Sequence, residues 1–232
     1  MRLGLACAPR LILVCSLTLA ASGCAAHGMA LHKGQDRVDP GKGAIALLSI
    51  RTSNAYDPTS QIDVIGLIVC PASTPCSNPR PYLYKADGPF REEKDRFQEY
   101  LLSLALAPGT YVIDSVGLMH QTFLTSGGGY TPLKLAVELG PGTVSYLGHM
   151  DVVLRRKTSD RELSGGREAL ELGLVHVERK GESGAGFAAG TIDVRIEDRF
   201  DEDMRSFVSQ IPGLRGLRVQ RSVLPPWIRP EG

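Results

Sequence analysis

The chain has 232 residues, with 26 Lys and Arg against 25 Asp and Glu and a formal net charge of +1. That balance gives no electrostatic reason to expect nucleic acid as a partner, since phosphate binding needs a concentrated basic face, and the length suits one domain of roughly 200 residues or a smaller one with long loops. Gly 26 and Pro 15 exceed their usual shares of about 7% and 5% and fall at turns between short apolar runs, which favours an all-β chain over a helical one.

Arg2 and Arg10 flank an apolar run over residues 11–21, and small residues then lead into Cys24. This is the pattern of a secretion signal over residues 1–23. The run falls short of the roughly 20 apolar residues that span a bilayer. The ending Ala21-Ser22-Gly23-Cys24 resembles the lipobox of bacterial lipoproteins. The resemblance implies lipid attachment at the Cys24 thiol, cleavage before it, and a mature chain held on a membrane of the cell envelope. Ala25, standing where Asp would retain such a protein at the inner membrane, implies the outer membrane. A plain signal cut nearby and an uncleaved N-terminal anchor are the alternatives. Removing residues 1–23 takes away Arg2 and Arg10 and leaves a formal charge of −1. The segment 24–43 is polar, Gly-rich and non-periodic, as expected of a flexible tether.

A domain over residues 44–212 follows. Strands are expected at 44–51, 61–69 and 81–85, the third at an edge because Pro81 removes a ladder donor. Cys70 and Cys76 remain once the signal cysteines Cys7 and Cys15 are removed and Cys24 carries the lipid. An even pair in an oxidising compartment most simply forms a disulfide. Free thiols and a metal site are the alternatives, and the second needs further ligands.

Alternating residues from Phe97 to Val153 define the clearest strands. Pro108-Gly109-Thr110 and Pro141-Gly142-Thr143 each separate two apolar runs, which predicts consecutive antiparallel hairpins, with Ser126-Gly127-Gly128-Gly129 as a loop. Strands are also expected at 172–179 and 191–196. Asp201-Glu202-Asp203 then opens a helix, because acidic groups suit its positive end, and Pro212-Gly213 closes it. The tail over 213–232 reads as extended, with Trp227 placed to dock on the domain or a partner.

The stretch Leu106-Ala107-Pro108-Gly109-Thr110-Tyr111 resembles a tyrosine corner, in which the Tyr111 hydroxyl would bond upstream backbone. This pattern is similar to that of transthyretin-like and carboxypeptidase-regulatory-like domains. Residues 141–148 resemble a group of uncharacterised bacterial lipoproteins with such a domain, closed by an acidic helix. Over residues 44–211 the resemblance implies an antiparallel β-sandwich with one late helix, and it supplies no catalytic residue and no cofactor.

Motifs with chemistry are few. Gly181-Glu182-Ser183-Gly184-Ala185-Gly186 begins like a phosphate-binding loop, but Phe187 and Ala188 stand where Lys and Ser or Thr are needed. Ser164 lacks the strand-to-helix setting of a serine nucleophile. Glu92, Glu93 and Asp95 alternate with Arg91, Lys94 and Arg96 as a solvated run does. Tyr82 and Tyr84 share a strand face and suit a contact patch. His149 and Asp151, two apart in a strand, share a face. With His120 or His176 they would offer a metal site or a base and its orienter. The leading expectation is a non-catalytic lipoprotein that recruits an envelope partner through the loops 125–130 and 180–189 and the tail at Trp227. A metal-dependent hydrolase built on His149 and Asp151, and a carrier of a small apolar ligand or lipid, are the alternatives.

Overall fold

The computed structural model describes residues 27–74, 76, 80–83, 91–94, 97–121, 126–164, 186–187 and 189–230. The signal, Cys24, His176, the expected strand at 172–179 and most of the loop 180–189 lie outside them. In chain order the strands are β1 (Ala44–Asn54), β2 (Asp63–Pro71), β3 (Arg80–Leu83), β4 (Arg91–Lys94), β5 (Phe97–Leu106), β6 (Gly109–Gln121), β7 (Ser126–Leu139), β8 (Thr143–Arg156) and β9 (Gly190–Glu197). The helix α1 (Phe200–Gln210) and a 3-10 turn (Pro212–Leu214) precede β10 (Val219–Arg221). The chain is mainly β, with two sheets and one short late helix.

The four-stranded sheet runs β3-β2-β6-β7, and the six-stranded sheet runs β10-β8-β1-β5-β4 with β9 also on β8. Their facing sides share one core. Leu48, Ile50, Leu102, Leu104, Met150 and Val152 come from the larger sheet, and Val64, Ile113, Val116 and Leu118 from the smaller. Tyr100 crosses between them and donates to the Asp63 carboxylate at 2.8 Å.

Neither Pro-Gly turn closes a hairpin. Pro108-Gly109 carries the chain from β5 in the larger sheet to β6 in the smaller, and Gly140-Pro141-Gly142 carries it back from β7 to β8. The reason is that the edges are taken: β5 pairs with β1 and β4, and β8 pairs with β1, β9 and β10. Consecutive antiparallel pairs form instead at β2–β3, β4–β5, β6–β7 and β8–β9, and the Ser126-Gly127-Gly128-Gly129 run, expected as a loop, is the start of β7. The sheets are also not wholly antiparallel, since β1 and β10 both run parallel to β8.

β1 and β8 are buried nearly without alternation because the larger sheet is covered on both faces. One face meets the smaller sheet. The other is covered by α1 and by residues 29–38, part of the segment expected to be a flexible tether. Leu31 is 2% and Val38 6% exposed, and the Ala30 and Leu31 amides donate to the Ser103 carbonyl and hydroxyl. Apolar side chains at 31 and 38 find a surface here, so this part of the segment is domain. The tail is likewise no appendage: β10 joins the sheet, and the Ser222 and Leu224 amides continue the ladder on β8.

Candidate functional site

The site lies on the helix-covered face of the larger sheet and depends on an irregularity in β8. Leu47 of β1 pairs with Tyr146, but Ser49 pairs with His149, so β8 carries one extra residue there. Gly148 occupies this bulge with φ +115°. Without the extra residue His149 would turn to the opposite face from Tyr146. With it, Tyr146, His149 and Asp151 all face α1. The bulge is also where β10 and the tail give way to β9 along the β8 edge.

α1 brings Asp203 onto this face from its first turn. Asp203 accepts from the Tyr146 hydroxyl at 2.6 Å and lies 3.1 Å from His149 Nδ1. His149 Nε2 has the Arg199 guanidinium at 2.9 Å and the Asp151 carboxylate at 3.5 Å. Asp151 in turn accepts from Arg51 Nε at 2.5 Å and from Arg195 at 3.1 Å. Glu99 of β5 completes the cluster: one of its oxygens, a His149 nitrogen and an Asp203 oxygen all lie within 4.8 Å of one another. His149 is 0%, Asp203 2% and Glu99 7% exposed.

Burial disfavours the imidazolium, but the carboxylates of Asp151 and Asp203 outweigh it and hold the His149 pKa above its ordinary value. Arg199 opposes them without reversing the direction. Asp151 is also penalised by burial, yet His149, Arg51 and Arg195 keep it well below the usual carboxylate range. Burial and the Asp203 carboxylate push the Tyr146 hydroxyl far above the normal phenol range. A general base must come within about 2.6–3.2 Å of the proton it removes. His149 has no exposed surface, so a substrate reaches it only if α1 moves. The cluster as it stands clamps α1 to the sheet.

Beside this clamp the same face opens into a pocket of about 640 Å³. Arg51, Asp151, Asp193, Arg195 and Arg229 provide its charges, Phe97 and Trp227 its rings. Arg51 lies 5.3 Å from the centre of the Phe97 ring, and Arg229 lies 5.4 Å from that of Trp227. Trp227 donates to the Pro132 carbonyl of β7 at 2.9 Å, fixing the tail against the smaller sheet.

The spacing of His149 and Asp151 does place them together, but His120 is elsewhere. It lies in the smaller sheet, with Nδ1 2.7 Å from the Gln61 carbonyl. Among the described residues the partners of His149 are carboxylates and an arginine. Asp203 reads from sequence as a helix-dipole residue, Glu99 as one polar position of a strand, and Arg51 as the end of another. Besides the His149–Asp151 spacing, Gly148 is a signal that could have pointed here, because a lone glycine in a strand marks a bulge. Cys70 and Cys76 stand at disulfide distance, with Cα atoms 5.5 Å apart, on the far side of the smaller sheet. Tyr111 is buried near the start of β6, and among the described residues its hydroxyl makes no hydrogen bond of the corner type. No helix among the described residues is long and apolar enough to cross a membrane. No protein-family model, curated protein or solved structure matches the chain.

Proposed function

We propose that this chain is an envelope lipoprotein, held on a membrane by lipid at Cys24, whose domain is a non-catalytic binding module. In this reading the two sheets form a transthyretin-like sandwich, although β1 and β10 run parallel to β8. The observation that carries the binding role is the pocket beside Trp227. It sets aromatic rings against guanidinium groups on a rigid, doubly covered sheet, a combination typical of interface anchors. The catalytic alternative draws no support from an imidazole sealed beneath a helix. The apolar-carrier alternative draws none from a space between the sheets filled by Leu48, Ile50, Leu102 and Leu104. The proposed mechanism is recruitment. Anchoring confines the module to one surface and raises its effective concentration there, so a modest contact suffices to hold a partner.

The test is crosslinking in intact bacterial cells followed by mass spectrometry. It compares the native chain, Cys24→Ala, and Ser53→Trp, which fills the pocket from β1. The proposal expects a discrete partner with the native chain that is lost in both variants. A partner retained with Ser53→Trp contradicts the pocket's role, and no specific partner at all contradicts recruitment.

A further inference from the structure

We propose that Glu99, His149 and Asp203, with the Ser49 hydroxyl beside them, form a structural site for a divalent transition-metal ion of the zinc type that ties α1 to β5 and β8. The three ligand atoms come from three separate elements, lie within 4.8 Å of one another, and are all buried. His149 Nδ1 and Asp203 Oδ1 are already 3.1 Å apart. Ligands about 2.0–2.2 Å from one tetrahedral ion stand about 3.4 Å apart. His149 and Asp203 therefore stand close to that spacing, and Glu99 needs to close by about 1.4 Å at most.

Ser49 supplies the independent observation. It is 0% exposed, and its Oγ has no hydrogen-bond partner among the described residues. It pairs in register with His149, so its side chain leaves the sheet on the same face. A buried hydroxyl without a partner is destabilising, and a ligand beside His149 would relieve that cost. The charges point the same way. Glu99 and Asp203 are buried carboxylates that favour a neighbouring cation, a role His149 and Arg199 fill here and a dication would take over. The Arg199 guanidinium is half-buried and also pairs with Glu202, a contact it would keep when an ion displaces it from His149. An imidazole with two carboxylates suits zinc and its neighbours, whereas calcium and magnesium favour all-oxygen sets. Tyr146, bonded to the other Asp203 oxygen, would hold that carboxylate in place for the ion.

The experiment titrates the full mature chain, stripped with EDTA, with Zn²⁺ against a chromophoric chelator and with Co²⁺ by visible absorption. The expected result is one equivalent bound, with a cobalt spectrum of nitrogen and oxygen ligation. Affinity should fall about 10–100-fold in Glu99→Gln and His149→Ala and rise in Arg199→Ala, where the competing cation is gone. Circular dichroism checks that each variant is folded, and the Arg199→Ala gain is a readout that a misfolded site would not give. No stoichiometric binding by either the native chain or Arg199→Ala overturns the proposal. So does a thiolate-to-cobalt band, which would place the ion at Cys70 and Cys76.

Discussion

Gly148 adopts φ +115°, and a Cβ there would stand 3.2 Å from both the Glu197 carbonyl and the Val223 side chain. We predict that Gly148→Ala costs about 1–3 kcal/mol in urea unfolding, through backbone strain and loss of the bulge that aims His149. Tyr146→Phe removes the hydroxyl that donates to Asp203 and accepts from the Arg199 amide. That change should cost about 1–3 kcal/mol, because it leaves a buried carboxylate short of a donor. At this scale the sequence was partly legible. His149 and Asp151 announce themselves by spacing, whereas the bulge at Gly148 was not read, although a glycine inside a strand can mark one. Asp203 lies 54 residues from His149, and nothing in its own neighbourhood reveals that docking α1 buries it.

Between elements, two features decide the architecture. The first is the doubly covered larger sheet. Leu31 belongs to its outer cover, so Leu31→Ala should cost about 2–5 kcal/mol, where a free tether would register no change. Gly213 shows how closely this cover is fitted, since a Cβ there would stand 2.7 Å from the Arg37 amide nitrogen. The second is the clasp at the end of β8. Arg155 binds the Glu162 carboxylate at 2.7 Å and also pairs with Asp193 of β9. Arg155 and the Thr158 amide hold the Glu162 pKa down to about 2, against an ordinary value of 4.5. A depressed carboxylate pKa contributes stability above the ordinary value and loses it as pH falls through the folded one. Stability followed by unfolding between about pH 5 and pH 2 should therefore fall as acid is added, with a shallower decline in Glu162→Gln. The late helix and most strand positions were legible from periodicity. The pairing was not. Pro-Gly turns report where the chain reverses, but the sheet that receives the next strand depends on which edges are already filled, a property of the assembled core. The tether reading failed because two apolar residues, Leu31 and Val38, carry too weak a pattern to show that they are buried.

For the whole molecule, the proposed function joins a lipid anchor to a domain with a pocket beside Trp227. The Cys70–Cys76 link closes a short loop at the far side of the smaller sheet. Replacing both cysteines by alanine should lower stability by about 2–3 kcal/mol, the loop-closure entropy restored to the unfolded chain. Ile228, next to Trp227 in the chain, is 86% exposed. The central claim is that this domain works from a membrane surface, and it rests on Ala21-Ser22-Gly23-Cys24. The most direct test is mass spectrometry of the N-terminal peptide of the mature protein purified from a bacterial membrane fraction, with metabolic fatty-acid labelling. The account predicts a peptide beginning at Cys24 that carries a thioether-linked diacylglycerol, and loss of the label in Cys24→Ala. A peptide that begins elsewhere, or that carries an unmodified Cys24 thiol, would contradict it.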